Sequence, residues 1–418
     1  MDGTSGGMES VGPFVGDEVP VNPTDLDATT GEPEDTGTAP PPPAVDTGVS
    51  VDAHRAPPCF DEAGLSIDIQ TDPHNCATCG HDCEGGACVS GMCSPLPVDV
   101  LATGQPSPAG IAVDADNVYW VNRFGPDPNT AATSGQIMKC AKTGCGNAPT
   151  VLARGPWSGL SKVLVDATNV YWISTGTVYA CAIGGCNGKP TAVWTQGGNL
   201  FDIAVSSSMV FFSDDSTLQV LGCALGGCDG GPTLFWSPAG SSSQPVPRAL
   251  AADTTTLYLG LTNGNLDECT LGSCNGSWKD LVQGQGVANQ MVLTGGELYF
   301  ITLGFGPGGS QIVKCNASSC GNGPSIVVAG LATPTGLAAD ATNVYFTDQG
   351  DMATTTQGAG RVAKCPVSGC SGSPMPIAGY VTSPQGIAVD DTRVYWTDFG
   401  TTSTPLGTLD GRVMARPK

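Results

Sequence analysis

Gly110-Ile-Ala-Val-Asp114, followed by Val118-Tyr-Trp120, opens a unit that the chain repeats seven times. After the aromatic pair comes a third apolar-rich segment, Gln136-Ile-Met-Lys-Cys140, then a Cys-x4-Cys step, then a fourth segment, Thr150-Val-Leu-Ala153. The pairs that mark the copies are Tyr119-Trp120, Tyr171-Trp172, Phe211-Phe212, Tyr258-Leu259, Tyr299-Phe300, Tyr345-Phe346 and Tyr395-Trp396, 40 to 52 residues apart. A period of this length with four short strands per unit, punctuated by Gly, Pro, Asn and Asp, predicts a β-propeller. The evenly repeated aromatics predict packing between blades.

The seventh copy stops after three strands, 386–390, 393–398 and 411–416, and has no Cys pair. A lone segment, Val98-Asp-Val-Leu-Ala102, stands before the first copy and looks like the fourth strand of the others. A propeller left open would expose two sheet edges. The segment is therefore expected to complete the seventh blade. The fold class read from the repeat is all-β: a seven-bladed propeller over 98–418, closed by an N-terminal strand.

Two further regions precede it. Residues 1–57 are rich in Pro, Gly, Thr and acidic residues, and are expected to be a disordered linker with too little apolar surface to offset ordering. Residues 58–95 carry Cys59, Cys76, Cys79, Cys83, Cys88 and Cys93. So small a module needs cross-links to fold, and three disulfides are expected. Zinc held by Cys76, Cys79, His74 and His81 is the alternative, although it would strand two thiols. The other twelve cysteines form six pairs: Cys140 with Cys145, Cys181 with Cys186, Cys223 with Cys228, Cys269 with Cys274, Cys315 with Cys320 and Cys365 with Cys370. Each lies between a third and a fourth strand and predicts a hairpin disulfide formed in an oxidising compartment. Arg416 takes the place of the first cysteine in the seventh copy.

The formal net charge is −22, about half of it in residues 1–57. With no basic stripe, nucleic acid is not an expected partner. No apolar run is long enough to span a membrane. The start, Met1-Asp-Gly-Thr-Ser-Gly-Gly, shows no signal peptide, so an export segment is expected to have been removed before this numbering.

Catalytic residue types are sparse in the repeats. His54, His74 and His81 all precede residue 98, and Glu268 and Glu297 are the glutamates of 98–418. The commonest general base is thus missing from the domain large enough for a cleft. Asp114, Asp166, Asp253, Asp340 and Asp390 recur after the first strand and are expected to shape turns, with calcium as the cofactor such carboxylates could admit. No catalytic residue and no metal ligand is assigned. The loop between the second and third strands is long in units 1, 5, 6 and 7, which are neighbours in a closed ring. These loops are expected to form a binding rim that includes Arg123, Phe124, Asp127, Phe305, Asp351, Met352, Asp398, Phe399 and Asp410.

Tyr345-Phe-Thr-Asp348 and Tyr395-Trp-Thr-Asp398, each after Gly-Leu/Ile-Ala-Ala/Val-Asp, resemble the YWTD repeats of low-density-lipoprotein-receptor propellers and related NHL-type units. The Thr-Asp is lost in Trp120-Val-Asn122 and Trp172-Ile-Ser174, seven units replace that family's usual six, and the Cys-x4-Cys step is foreign to it. Thr71-Asp-Pro-His-Asn-Cys-Ala-Thr-Cys-Gly80 resembles the stalk modules of surface proteins from Gram-negative soil bacteria, and the polar start resembles the residues after the lipid-modified cysteine of bacterial lipoproteins. These resemblances imply a secreted or surface-tethered protein of the cell envelope, with a lipid anchor upstream, binding a protein or glycan. Streptogramin-inactivating propeller lyases depend on a histidine, which residues 98–418 do not supply. An aspartate-dependent divalent-metal hydrolase or lactonase in the channel, and a structural envelope or matrix protein, stay open as alternatives.

Overall fold

The structure is a computed structural model that describes residues 59–60, 65–72, 75, 79, 87–90, 92–94, 98–126, 134–195, 198–238, 244–274, 277–304, 309–321, 323–350, 360–370, 374–401 and 409–418. The expected linker 1–57, all three histidines, Cys76 and Cys83 lie outside them. Of the Cys-rich module, Cys59–Phe60 pairs with Ser66–Ile67 and Ala87–Val89 with Met92–Ser94, both antiparallel. Cys59 is bonded to Cys79, and Cys88 is disulfide-bonded too.

Seven four-stranded antiparallel sheets follow, six of them in chain order from an inner to an outer strand. Their inner strands are Pro108–Val113, Val163–Val165, Leu200–Val205, Pro247–Ala252, Val287–Thr294, Pro334–Ala339 and Pro384–Val389, in blades 1 to 7. Blade 7 is completed by Asp99–Gln105 as its outer strand, with Gly411 opposite Gln105, Val413 opposite Ala102 and Ala415 opposite Asp99. The sequence placed this strand at 98–102; it runs three residues further toward the first blade. Among the described residues there is no helix.

The aromatic pairs explain how flat sheets become a ring. Successive residues of a strand face opposite sides, so the two members of a pair enter different interfaces. Tyr119 of blade 1 packs with Trp172 of blade 2, Tyr171 with Phe212, Phe211 with Leu259, and Tyr258 with Phe300. The series continues with Tyr299 and Phe346, then Tyr345 and Trp396, and closes with Tyr395 of blade 7 against Trp120 of blade 1. Seven clusters fill seven interfaces.

The hairpin disulfides belong to the same interfaces. All six pairs are bonded: Cys140 to Cys145, Cys181 to Cys186, Cys223 to Cys228, Cys269 to Cys274, Cys315 to Cys320 and Cys365 to Cys370. Each packs against the preceding blade. The Cys145 sulfur lies 3.5 Å from the Leu101 carbonyl oxygen, and the Cys370 amide donates to the Val327 carbonyl at 3.1 Å. Cys228 joins Val193 and Trp194 of blade 2. Cys274 is buried with Phe235 and Trp236 of blade 3, and Cys320 with Ala251 and Tyr258 of blade 4. Arg416, opposite Val394 as Cys140 is opposite Val118, donates to the corresponding carbonyl of Ile377. A buried cation thus does for the seventh interface what sulfur does for the others.

The threonine that follows the aromatic pair in blades 6 and 7 has a visible use. Thr347 Oγ1 donates to the Gln385 carbonyl at 2.6 Å, and Thr397 Oγ1 to the Ala109 carbonyl at 2.5 Å, each reaching the inner strand of the next blade. A Cβ on Gly386 would stand 2.6 Å from that Ala109 oxygen, so glycine permits the close approach of blades 7 and 1.

Candidate functional site

The recurring aspartates are turn-formers, as their positions suggest. Asp114 Oδ1 accepts the amides of Asp116 and Asn117, and Oδ2 accepts the Tyr119 hydroxyl at 2.7 Å. Asp166, Asp340 and Asp390 repeat this with Tyr171, Tyr345 and Tyr395. Asp253 shapes its turn through Thr255 and Thr256 alone. In blade 3, Ser206 replaces the aspartate and caps the turn through the Met209 amide, and Phe211 replaces the tyrosine. Acid and hydroxyl are both absent from blade 3, whereas blade 5 keeps Tyr299 with Thr294 at the aspartate position. Burial raises the pKa of Asp340 and Asp390. Lys418 or Lys142, the turn amides and the tyrosine outweigh it, and both carboxyls end well below their ordinary value.

The inner strands start at the end of the molecule that bears the loops between second and third strands, because Pro108 pairs with Asn122 and Pro384 with Asp398. They line a channel of about 840 Å³. Four residues before each turn aspartate or its replacement, one tier of the inner strands reads Gly110, Lys162, Asp202, Ala249, Gln290, Gly336 and Gly386 in blades 1 to 7. The polar members are braces between blades. Lys162 Nζ meets Asp202 Oδ1 at 2.5 Å, Asp202 Oδ2 accepts the Leu250 amide at 2.9 Å, and Gln290 donates to the Thr335 carbonyl at 2.5 Å. Asp202 is the one carboxylate among the described wall residues, and its oxygens are engaged with Lys162, Ile203 and Leu250. Among the described residues no three His, Cys, Asp or Glu side chains converge.

At the loop end, five of the nine expected rim residues are described; Asp127, Phe305, Asp351 and Met352 lie outside. Arg123 and Phe399 meet across the seam of blades 1 and 7, the guanidinium 5.4 Å from the ring centroid. Arg123 Nε also donates to the Leu160 carbonyl at 3.1 Å, which ties the seam to blade 2. Burial draws the Arg123 pKa below its ordinary value. Phe124 is half-buried beside it. Asp398 is buried and accepts the Ser383 amide at 2.8 Å, as Asp348 accepts that of Thr333. Asp410 accepts the Thr401 amide and hydroxyl, holding together the base of the blade 7 loop. The structure therefore brings Arg123 to the channel mouth with Phe399 against it, and engages the two aspartates with backbone.

Beside the mouth, where blades 2 and 3 carry short loops, a pocket of about 220 Å³ is lined by Ser158, Ser174, Thr175 and Asn199. Neither this pocket nor the Lys162–Asp202 brace was read from the sequence. The brace had a signal: in the aligned copies only units 2 and 3 carry a charge at that tier.

No protein-family model matches the chain, and no curated protein matches it. Solved structures do. U3-55K is similar with a TM-score of 0.54 at 11% identity, over 78% of this chain and 100% of that one. Virginiamycin B lyase from Staphylococcus aureus is similar with a TM-score of 0.53 at 13% identity, over 77% of this chain and 98% of that one. The nidogen/laminin complex matches more weakly, with a TM-score of 0.42 at 16% identity, over 57% of this chain and 88% of that one. Identities this low establish the fold, a β-propeller, and leave ligand and activity to this chain's own residues.

Proposed function

We propose that the protein is a secreted or surface-tethered binding module without catalysis, engaging a protein or glycan through the loop end of its propeller. The observation that carries this reading is the seam of blades 7 and 1, where the Arg123 guanidinium lines the channel mouth and lies against the Phe399 ring, with Phe124 next to it in the chain. Aromatic and guanidinium groups are those that most often anchor protein interfaces. The disulfides fit an oxidising compartment, and no helix among the described residues is long and apolar enough to cross a membrane. The regions before the propeller would serve as spacer and stalk. The hydrolase alternative needs converging carboxylates, and the single described carboxylate of the channel wall is committed to bracing blades.

Capture of a partner from the native cell envelope, before and after trimming residues 127–133 and 351–359, tests the reading. Trimming is expected to abolish capture while the thermal melt stays unchanged. Capture that survives places the site elsewhere.

A further inference from the structure

The two ends of the channel differ in chemistry. At the turn end, the residue before each turn lines the wall: Val113, Val165, Val205, Leu293 and Val389, with alanines in the other two blades. All are half-buried and form an aliphatic ring. At the loop end the wall is mixed, with the polar Ser161, Gln290 and Gln385 beside Leu200, Phe201 and Pro334. Of the charged groups among the described wall residues, Lys162 and Asp202 neutralise each other. Arg123 remains. Its Nε is bonded to a carbonyl and its face lies against Phe399, while Nη1 and Nη2 have no partner among the described residues. A guanidinium partly removed from water without a carboxylate is unfavourable by itself and is relieved by an anion that presents two oxygens to its fork.

We infer that the channel binds an amphipathic carboxylate, its head on Arg123 at the loop end and its hydrocarbon chain against the aliphatic ring. The register places Arg123 one residue beyond the partner of Pro108, and Pro108 to Val113 spans about 16 Å of extended strand. That is the length of an extended dodecanoate. The channel volume of about 840 Å³ lies within the range of small-molecule sites. Carboxylate and chain are both required: the aliphatic ring rewards burial of apolar surface, and the guanidinium rewards the charge.

Calorimetric titration of the whole chain with dodecanoate, dodecanol and acetate, all below micelle-forming concentrations, tests this. Dodecanoate is expected to bind at least tenfold more tightly than either of the others. Arg123→Gln should bring dodecanoate down to the level of dodecanol and leave dodecanol unchanged, and Val205→Asp should weaken both long-chain ligands. Equal binding of dodecanoate and dodecanol by the natural chain overturns the inference, as does an Arg123→Gln protein of undiminished affinity. The comparison of ligands on the natural chain does not depend on any variant folding. The inference rests on the loop end being the binding side. Capture by the loop-trimmed protein tests that reading separately, and either experiment can fail while the other succeeds.

Discussion

Asp267 stands where every other blade is apolar. The third-strand residue opposite the second member of the aromatic pair is Met138, Tyr179, Leu221, Val313, Ala363 or Met414 in the other six. In blade 4 it is an acid, 6% exposed, with Oδ1 lacking any hydrogen-bond partner, and Asp280 lies directly across on the outer strand. Gln283 bonds Asp280, Glu268 pairs with Lys279, and the blade 3 side presents Phe235 and Trp236, so among the described residues no cation faces the acid. Burial first, and then the Asp280 carboxylate, push the Asp267 pKa up to about 7. The sign follows from linkage. A carboxyl raised in the folded state binds its proton more tightly there, so its contribution is complete below its ordinary value near 3.8 and is lost as pH climbs through about 7. Asp340 and Asp390 are depressed and act in the opposite sense: their contribution is present above the ordinary value and lost as pH falls below it. Stability should therefore peak between the two windows. The melting temperature is expected to be a few degrees higher at about pH 5 than at about pH 8, and Asp267→Asn should flatten that difference. A melting temperature that rises steadily over this interval in the natural chain would refute the raised Asp267 pKa.

At the scale of the element, the hairpin disulfide has two effects that can be separated. Closing a loop of this size restricts the unfolded chain and contributes about 2 kcal/mol in the loop-entropy model. The sulfurs also fill space: Cys181 is 2% exposed and packs with Trp172 and Tyr119. Reducing the natural protein removes the cross-link and keeps the sulfurs, whereas Cys181→Ala with Cys186→Ala removes both. The alanine variant is expected to melt below a protein reduced at that pair by an amount typical of a small core cavity, about 1 kcal/mol. Equal melting temperatures would leave only the loop term. The sequence made the pairing legible because a fixed five-residue step recurs at one place in each of six hairpins, from Cys140 and Cys145 to Cys365 and Cys370. It hid the packing role, because the neighbour that each sulfur touches belongs to the preceding blade, as Leu152 does for Cys186. For the same reason Arg416 could be placed in the cysteine's register, but its bond to Ile377 could not be foreseen.

For the whole molecule, what could be read in advance was whatever the repeat states seven times. The blade count, the aromatic packing and the closing strand all follow from comparing copies. The site does not repeat, so it was legible only as unequal loop lengths. Those lengths name the rim without saying which side chains face the channel and which, like Asp398, are consumed by backbone amides. Closure itself is the global property left to test. Blade 7 joins residues from the two ends of the propeller, and its outer strand buries Leu101 and Ala102 in the interface that also holds Trp120 and Tyr395. The Arg393–Asp99 ion pair and the Thr103–Asn147 bonds tie that strand to blade 7 on one side and to the blade 1 hairpin on the other. Removing residues 98–105 would expose the edge of Gly411–Pro417 and open one face of that cluster. The truncated chain is expected to melt at lower temperature and over a wider range, and to associate in size-exclusion chromatography through the exposed edge. Adding a peptide of residues 98–105 in trans should restore part of the loss, since the strand's contacts do not require covalent connection to blade 1. An unchanged melt after truncation would mean that the six continuous blades and the three-stranded seventh hold the ring without it.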